Sequence, residues 1–157
     1  MAISMKLKKF LDENRVGYQI TAHPEVYTAQ EIAAAMHIPG KELAKVVMVK
    51  AGESFVMTVL PASWRVDMTK LRETLKTKDI RLATEDEFKS LFPDCEPGAM
   101  PPFGNLYGID VYEDKSLTED EEIFFQAGNH IESVKMRYKD FERLVKPKVA
   151  DFGSHIH

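Results

Sequence analysis

The sequence predicts an α/β protein of the α+β type, with a mixed, largely antiparallel sheet flanked by helices. Three observations carry this. The apolar runs "AKVVMVK" and "SFVMTVLPA" flank the turn "AGE" and read as a β-hairpin. Three strand-like segments near "YGIDVYED", "EIFFQAG" and "SVKMRY" follow one another in the second half. Amphipathic segments with helix start signals punctuate the rest. Hairpins dominate over strand–helix–strand crossovers, so antiparallel pairing should prevail.

The elements follow in order. "KLKKFLDENR" places Leu7, Phe10 and Leu11 at helical spacing. "YQITAH" alternates as a short strand does. "TAQEIAAAMHIPG" opens with Thr28 and Glu31, a capping box, and stops at Pro39-Gly40. The hairpin comes next, then "DMTKLRETLK", a helix capped by Asp67, and the strand "IRLA". "TEDEFKSLF" carries a second capping box, Thr84 with Glu87. A Pro/Gly loop, "CEPGAMPPFG", leads to the last three strands and a closing helix, "KDFERLVK". The loop is expected to be exposed and stiff, since proline fixes φ and glycine frees it.

The 157 residues suggest one domain over residues 1–152, large enough to bury a core without staples. Residues 153–157, within "DFGSHIH", are expected to be a disordered tail, native or a cloning remnant, so the pair His155 and His157 carries little weight as a metal site. The net charge of −4 gives no global basic field for a long stretch of nucleic acid. A nucleic-acid substrate would be gripped locally, and neither DNA nor a membrane is an expected partner. The single cysteine, Cys95, allows no internal disulfide, and the first residues lack a signal-peptide pattern. A cytoplasmic location is expected.

Several chemistries find no motif. There is no P-loop, GxGxxG, GxSxG, paired CxxC or HExxH. Cys95 has no histidine near it in sequence and reads as a passive loop residue, with a thiol enzyme as the alternative. The acidic runs "TEDEEI" and "TEDEF" read as a solvated turn and a helix N-terminus. His23, His37 and His130 lie in separate segments, so no metal and no cofactor is expected.

Three features stand out together: Lys45 at the start of a buried strand, the loop Gly98-Ala99-Met100-Pro101-Pro102, and "AGNH", with Gly128 and His130 in a turn between strands. In this order they resemble the YbaK-like aminoacyl-tRNA deacylase family, which includes the editing insertion domain of bacterial prolyl-tRNA synthetase. The resemblance runs from "AHPEVYTAQEIAAAM" to "FQAGNHIESVKM". Its most specific part is the Gly-x-x-x-Pro loop with a lysine upstream.

The resemblance implies a mixed sheet curled toward a barrel. It implies hydrolysis, without metal or covalent intermediate, of the ester joining a wrong, small amino acid to the 3′ end of a non-cognate tRNA such as tRNA-Pro. The enzyme would be freestanding, with the aminoacyl-tRNA 3′ end, or an aminoacyl-tRNA synthetase, as partner. Gly98 or Ala99 would supply the backbone amide that meets the developing oxyanion. Lys45 would hold a phosphate or the terminal adenosine. His130 and Gly128 would shape the pocket, with Pro102, His23 and Thr28 as further substrate-binding positions. A catalytically inactive binding module of the same fold is the alternative function.

Overall fold

In the computed structural model, residues 4–23 and 43–155 are described. The expected helix from Thr28 to Pro39, with its capping box and His37, lies outside them.

Helix α1 (Met5–Glu13) starts at Ser4, whose hydroxyl accepts from the Leu7 amide at 3.3 Å, and it buries Leu7 and Leu11. Strand β1 (Tyr18–Ala22) pairs antiparallel with β8 (Glu132–Arg137), which pairs antiparallel with β7 (Glu122–Gln126). The predicted hairpin is β2 (Ala44–Ala51) and β3 (Ser54–Pro61), in register from Ala44–Pro61 to Ala51–Ser54. It anchors a five-stranded sheet in the order β5-β2-β3-β6-β9, with β5 at Ile80–Leu82, β6 at Asp110–Asp114 and β9 at Lys148–Ala150. The β3–β6 and β6–β9 pairs are parallel; the other strand pairs are antiparallel, so the sheet system is mixed and largely antiparallel.

Helix α2 (Met68–Leu75) is capped as predicted: the Asp67 carboxylate accepts from the amides of Thr69 and Lys70 at 3.0 and 3.2 Å. Helix α3 (Glu85–Phe88) holds the Thr84–Glu87 capping box, and Arg81 grips the Glu87 carboxylate with both terminal nitrogens. Helix α4 (Tyr138–Val145) closes the core through Tyr138, Phe141 and Val145.

Two apolar clusters divide along the faces of β2. Ala44, Val46 and Met48 join a large cluster with Phe103, Phe125, Val134 and Phe141. Val47, Val49 and Leu60 join a smaller one with Leu71 of α2, Ile80 and Phe152.

Among the described residues the mixed sheets are not closed into a barrel: only an isolated parallel bridge, Leu43 to Phe124, joins the five-stranded and three-stranded sheets. Two expectations need correction. Residues 153–155 are not a tail. They form β10 (Gly153–His155), antiparallel to β4 (Trp64–Val66), after the fully buried Phe152. Asp114 pins this end, its Oδ1 accepting from the amides of Phe152 and Gly153 at 3.0 and 2.7 Å. Finally, the Pro/Gly loop is exposed only at Pro97 and Gly98; Ala99 to Gly104 are buried.

Candidate active site

The site is built around a turn. Residues Glu96-Pro97-Gly98-Ala99 close on a bond from the Ala99 amide to the Glu96 carbonyl at 3.0 Å. Proline in the second place and glycine at φ +84° in the third form the pattern of a type II turn. The turn is clamped to Gly128 twice: the Glu96 amide donates to Gly128 O at 2.7 Å, and the Gly128 amide donates to Ala99 O at 2.8 Å. Gly128, at φ +106°, has no room for a side chain, since a Cβ there would sit 3.0 Å from Ser4. Downstream, Phe103 anchors the loop between Phe125 and Phe141, with ring centroids at 5.4 and 5.5 Å. Met100 is buried in the same cluster, so its bulk fills core rather than the pocket.

Each amide of the turn can be followed. Glu96 N–H goes to Gly128, Pro97 has none, and Ala99 N–H closes the turn. Among the described residues no acceptor lies within reach of Gly98 N–H. An exposed amide left over on a doubly clamped turn is a fixed donor for an oxygen from outside. Gly98 and Ala99 are equal candidates in the sequence; here the Ala99 amide is taken by Glu96 O, while the Gly98 amide has no bond among the described residues.

His130 braces the turn. Its Nε2 lies 2.9 Å from the Pro97 carbonyl, which can only accept, so Nε2 carries the proton. Its Nδ1 then accepts from Gln126 Nε2 at 3.4 Å. A Cβ on Gly98 would meet the same imidazole, 3.7 Å from Cε1. The adjoining Asn129 holds the β7–β8 turn, its Oδ1 accepting from the amides of Ile131 and Glu132 at 2.9 and 2.8 Å.

A polar row crosses the strands beside this turn. Thr21 is paired with Ser133, and Ser133 with Gln126, so all three share a face opposite Phe125 and Val134. His23 joins them through its backbone bond to Ile131 at 2.8 Å and through Nε2 to Ser133 Oγ at 3.1 Å. The isolated Leu43–Phe124 bridge brings the start of β2 beside β7, with Lys45 and Gln126 each two residues beyond it. The Lys45 ammonium is half-buried, donates to Ala62 O at 3.4 Å, and pairs with no carboxylate among the described residues. Burial lowers its pKa, an unfavourable setting for a cation unless an anion arrives.

The predicted residues therefore divide. Gly98, Ala99, Gly128 and His130 are in direct contact; His23 joins by its bonds to Ile131 and Ser133, and Lys45 lies two residues from the bridge between β2 and β7. Pro102 is buried behind the turn, and Thr28 lies outside the described residues. Glu96, Gln126, Asn129 and Ser133 were missed. The alternation of β7 and β8, polar at Gln126 and Ser133 against Phe125 and Val134, was the available signal for two of them.

Behind the clamp lies a second polar cluster. The Ser4 hydroxyl and the Tyr107 hydroxyl both donate to Asp94, the latter at 2.8 Å. Burial would raise the Asp94 pKa, but these bonds outweigh it and hold the carboxyl below its usual range. Burial pushes the neighbouring Cys95 thiol up to about 11, with the Asp94 charge adding to the effect. Such a thiol stays protonated at neutral pH and is a poor nucleophile.

The profile of the aminoacyl-tRNA editing domain family matches residues 23–144. A proline–tRNA ligase of Macrococcus caseolyticus is 27% identical over 157 residues, covering 94% of this chain and 27% of that enzyme. One from Thiobacillus denitrificans is 35% identical over 81 residues, covering 52% and 14%. The chain thus spans about a quarter or less of the length of these curated relatives. Among solved structures, a protein provisionally described as a trans-editing enzyme for prolyl-tRNA synthetase superposes with a TM-score of 0.83 over 96% of both chains, at 20% identity. A hypothetical protein superposes at 0.85 and 18% identity, over 95% of this chain and 99% of its own. These likenesses establish the fold, and the family match spans Lys45, the clamped turn and His130: the chain belongs to the aminoacyl-tRNA editing domain family.

Proposed function

We propose that the protein hydrolyses the ester of mischarged aminoacyl-tRNA, with a small amino acid on tRNA-Pro as the first substrate to test. The observation that carries this reading is the Gly98 amide, exposed and without an acceptor among the described residues, on a turn that Gly128 and His130 hold still. Water attacks the ester carbonyl carbon, and the carbonyl oxygen becomes an oxyanion that takes the Gly98 hydrogen bond. The carbon–oxygen bond to the 3′ ribose then breaks. The ribose oxygen leaves with a proton, releasing free amino acid and tRNA. A preset donor costs no reorganisation as charge develops.

Lys45 holds the anionic or adenosine end of the substrate, which supplies the counter-charge its half-buried position lacks. His130 has both ring nitrogens engaged, so it acts as a strut rather than a base. The attacking water is assisted by the substrate's adjacent ribose hydroxyl, and no metal is required. Action in trans is supported by the match to the provisional trans-editing enzyme along nearly its whole length. The test is incubation with a panel of aminoacyl-tRNAs and measurement of released amino acid. Release from mischarged tRNA-Pro above the spontaneous rate supports the reading, and release from none of the panel rejects it.

A further inference from the structure

Lys45 and α2 lie on the same side of the five-stranded sheet. Lys45 is paired with Leu60, which belongs to the smaller apolar cluster, and α2 covers that cluster through Leu71. The helix begins just after β4, near Ala62, whose carbonyl the Lys45 ammonium touches. It ends near the far end of β2, where Asp79 O accepts from the Gly52 amide at 2.9 Å. The helix therefore runs along β2 away from Lys45, and six residues of strand from Lys45 to Ala51 span about 20 Å.

Its far end is cationic. Arg72, Lys76 and Lys78 are exposed, and among the described residues none of them forms an ion pair. With Thr69, Thr77 and Glu73 they line a shallow cavity of about 400 Å³. Between Arg65 and Arg81 the chain has six cations against three carboxylates, within a protein of net charge −4. For a polyanion this local excess of cations is a favourable landing place on a chain whose net charge is negative.

We propose that the C-terminal end of α2 is a second contact for the tRNA substrate, binding the phosphate backbone of its acceptor arm while the 3′ end lies at Lys45. The span of about 20 Å is a few nucleotides of RNA backbone, so one strand can reach from Lys45 to this end of α2. Lysine and arginine side chains at this spacing bind phosphates without reading bases, which gives hold and orientation. This inference rests on the proposed function for its ligand, but its test needs no turnover.

The experiment is filter binding of uncharged tRNA to the full chain across a salt series. The triple variant Arg72→Gln, Lys76→Gln, Lys78→Gln should bind on the order of tenfold more weakly at low salt. Its slope of log K against log salt should be shallower by about 2 to 3, from about 0.7–0.9 for each phosphate no longer neutralised. Arg72→Gln alone should shift the slope by about a third of that. The control pair Lys139→Gln, Lys146→Gln, exposed cations on and just after α4, should leave the slope unchanged. A triple variant with the wild-type slope overturns the proposal, and would point to an acidic protein at this face. An equal effect in the control pair also overturns it, since binding would then be diffuse. Binding of the predicted kind without amino acid release would reject the catalytic reading and leave this surface standing.

Discussion

Replacing Gly98 with alanine separates the backbone argument from side-chain chemistry. The new Cβ has room, because it would lie 3.7 Å from His130 Cε1, ordinary van der Waals contact. The strain is in the backbone: φ is +84°, where an L side chain costs roughly 1–2 kcal/mol. The turn can keep its shape and lose that stability, or relax and turn the Gly98 amide away. The clamps to Gly128 act on Glu96 and Ala99, and His130 holds the Pro97 carbonyl, so turning the Pro97–Gly98 peptide away breaks the His130 bond. Loss of one oxyanion donor costs about 10²–10³ in the chemical step. Single-turnover deacylation by Gly98→Ala should therefore fall by that order, with denaturant unfolding showing a stability loss of about 1–2 kcal/mol. Gly98→Val should be worse on both axes. A folded Gly98→Ala protein cleaving at the wild-type rate would refute the role of this amide.

Further outcomes follow from the same structure. Lys45→Ala should lower deacylation about tenfold to a hundredfold with the fold intact by circular dichroism, since the substrate gives up one charge-assisted hydrogen bond; an unchanged rate would remove Lys45 from the site. Cys95→Ser should keep wild-type turnover, given a thiol pushed up to about 11, whereas a dead variant would restore the thiol mechanism. Prolonged EDTA treatment should leave the rate unchanged, and inactivation reversed by zinc would contradict metal-independent hydrolysis. Glu113 is fully buried, takes the Tyr138 hydroxyl on one oxygen and has no partner for the other among the described residues. Burial, with Glu142, Asp114 and Asp120 nearby, raises its pKa from 4.5 to about 7. The folded state thus binds this proton more tightly than the unfolded one. The resulting stability is complete below about pH 4.5 and is lost as pH rises through about 7, up to about 3 kcal/mol in all. Glu113→Gln should flatten this part of the Tm–pH profile, and an unaltered profile would show that Glu113 is not its source.

Local signals in the sequence were sufficient for the parts that depend on near neighbours. The β2–β3 hairpin, the Asp67 cap and the Thr84–Glu87 box each involve residues a few positions apart, and each formed as read. Strands β4, β9 and β10 escaped because three residues show no period, and their partners are distant in sequence. Phe152 and Gly153 look like the start of a tail until Asp114, 38 and 39 positions away, accepts their amides. The Pro/Gly loop was legible as a candidate site, but the contacts that hold it were not. Besides its prolines, the loop is held by two bonds to Gly128 and by Phe103 in the core. Gln126 and Ser133 could be seen as polar positions on strands; that they align with Thr21 depends on pairings between distant segments.

The central claim is that the Gly98 amide receives the developing oxyanion. A crystal structure with a hydrolysis-resistant 3′-amide analogue of aminoacyl-adenosine tests it most directly. The account predicts the analogue's carbonyl oxygen about 2.7–3.1 Å from Gly98 N, with the adenosine at Lys45 Nζ. A carbonyl oxygen held by other donors, with Gly98 N–H facing solvent, would contradict it.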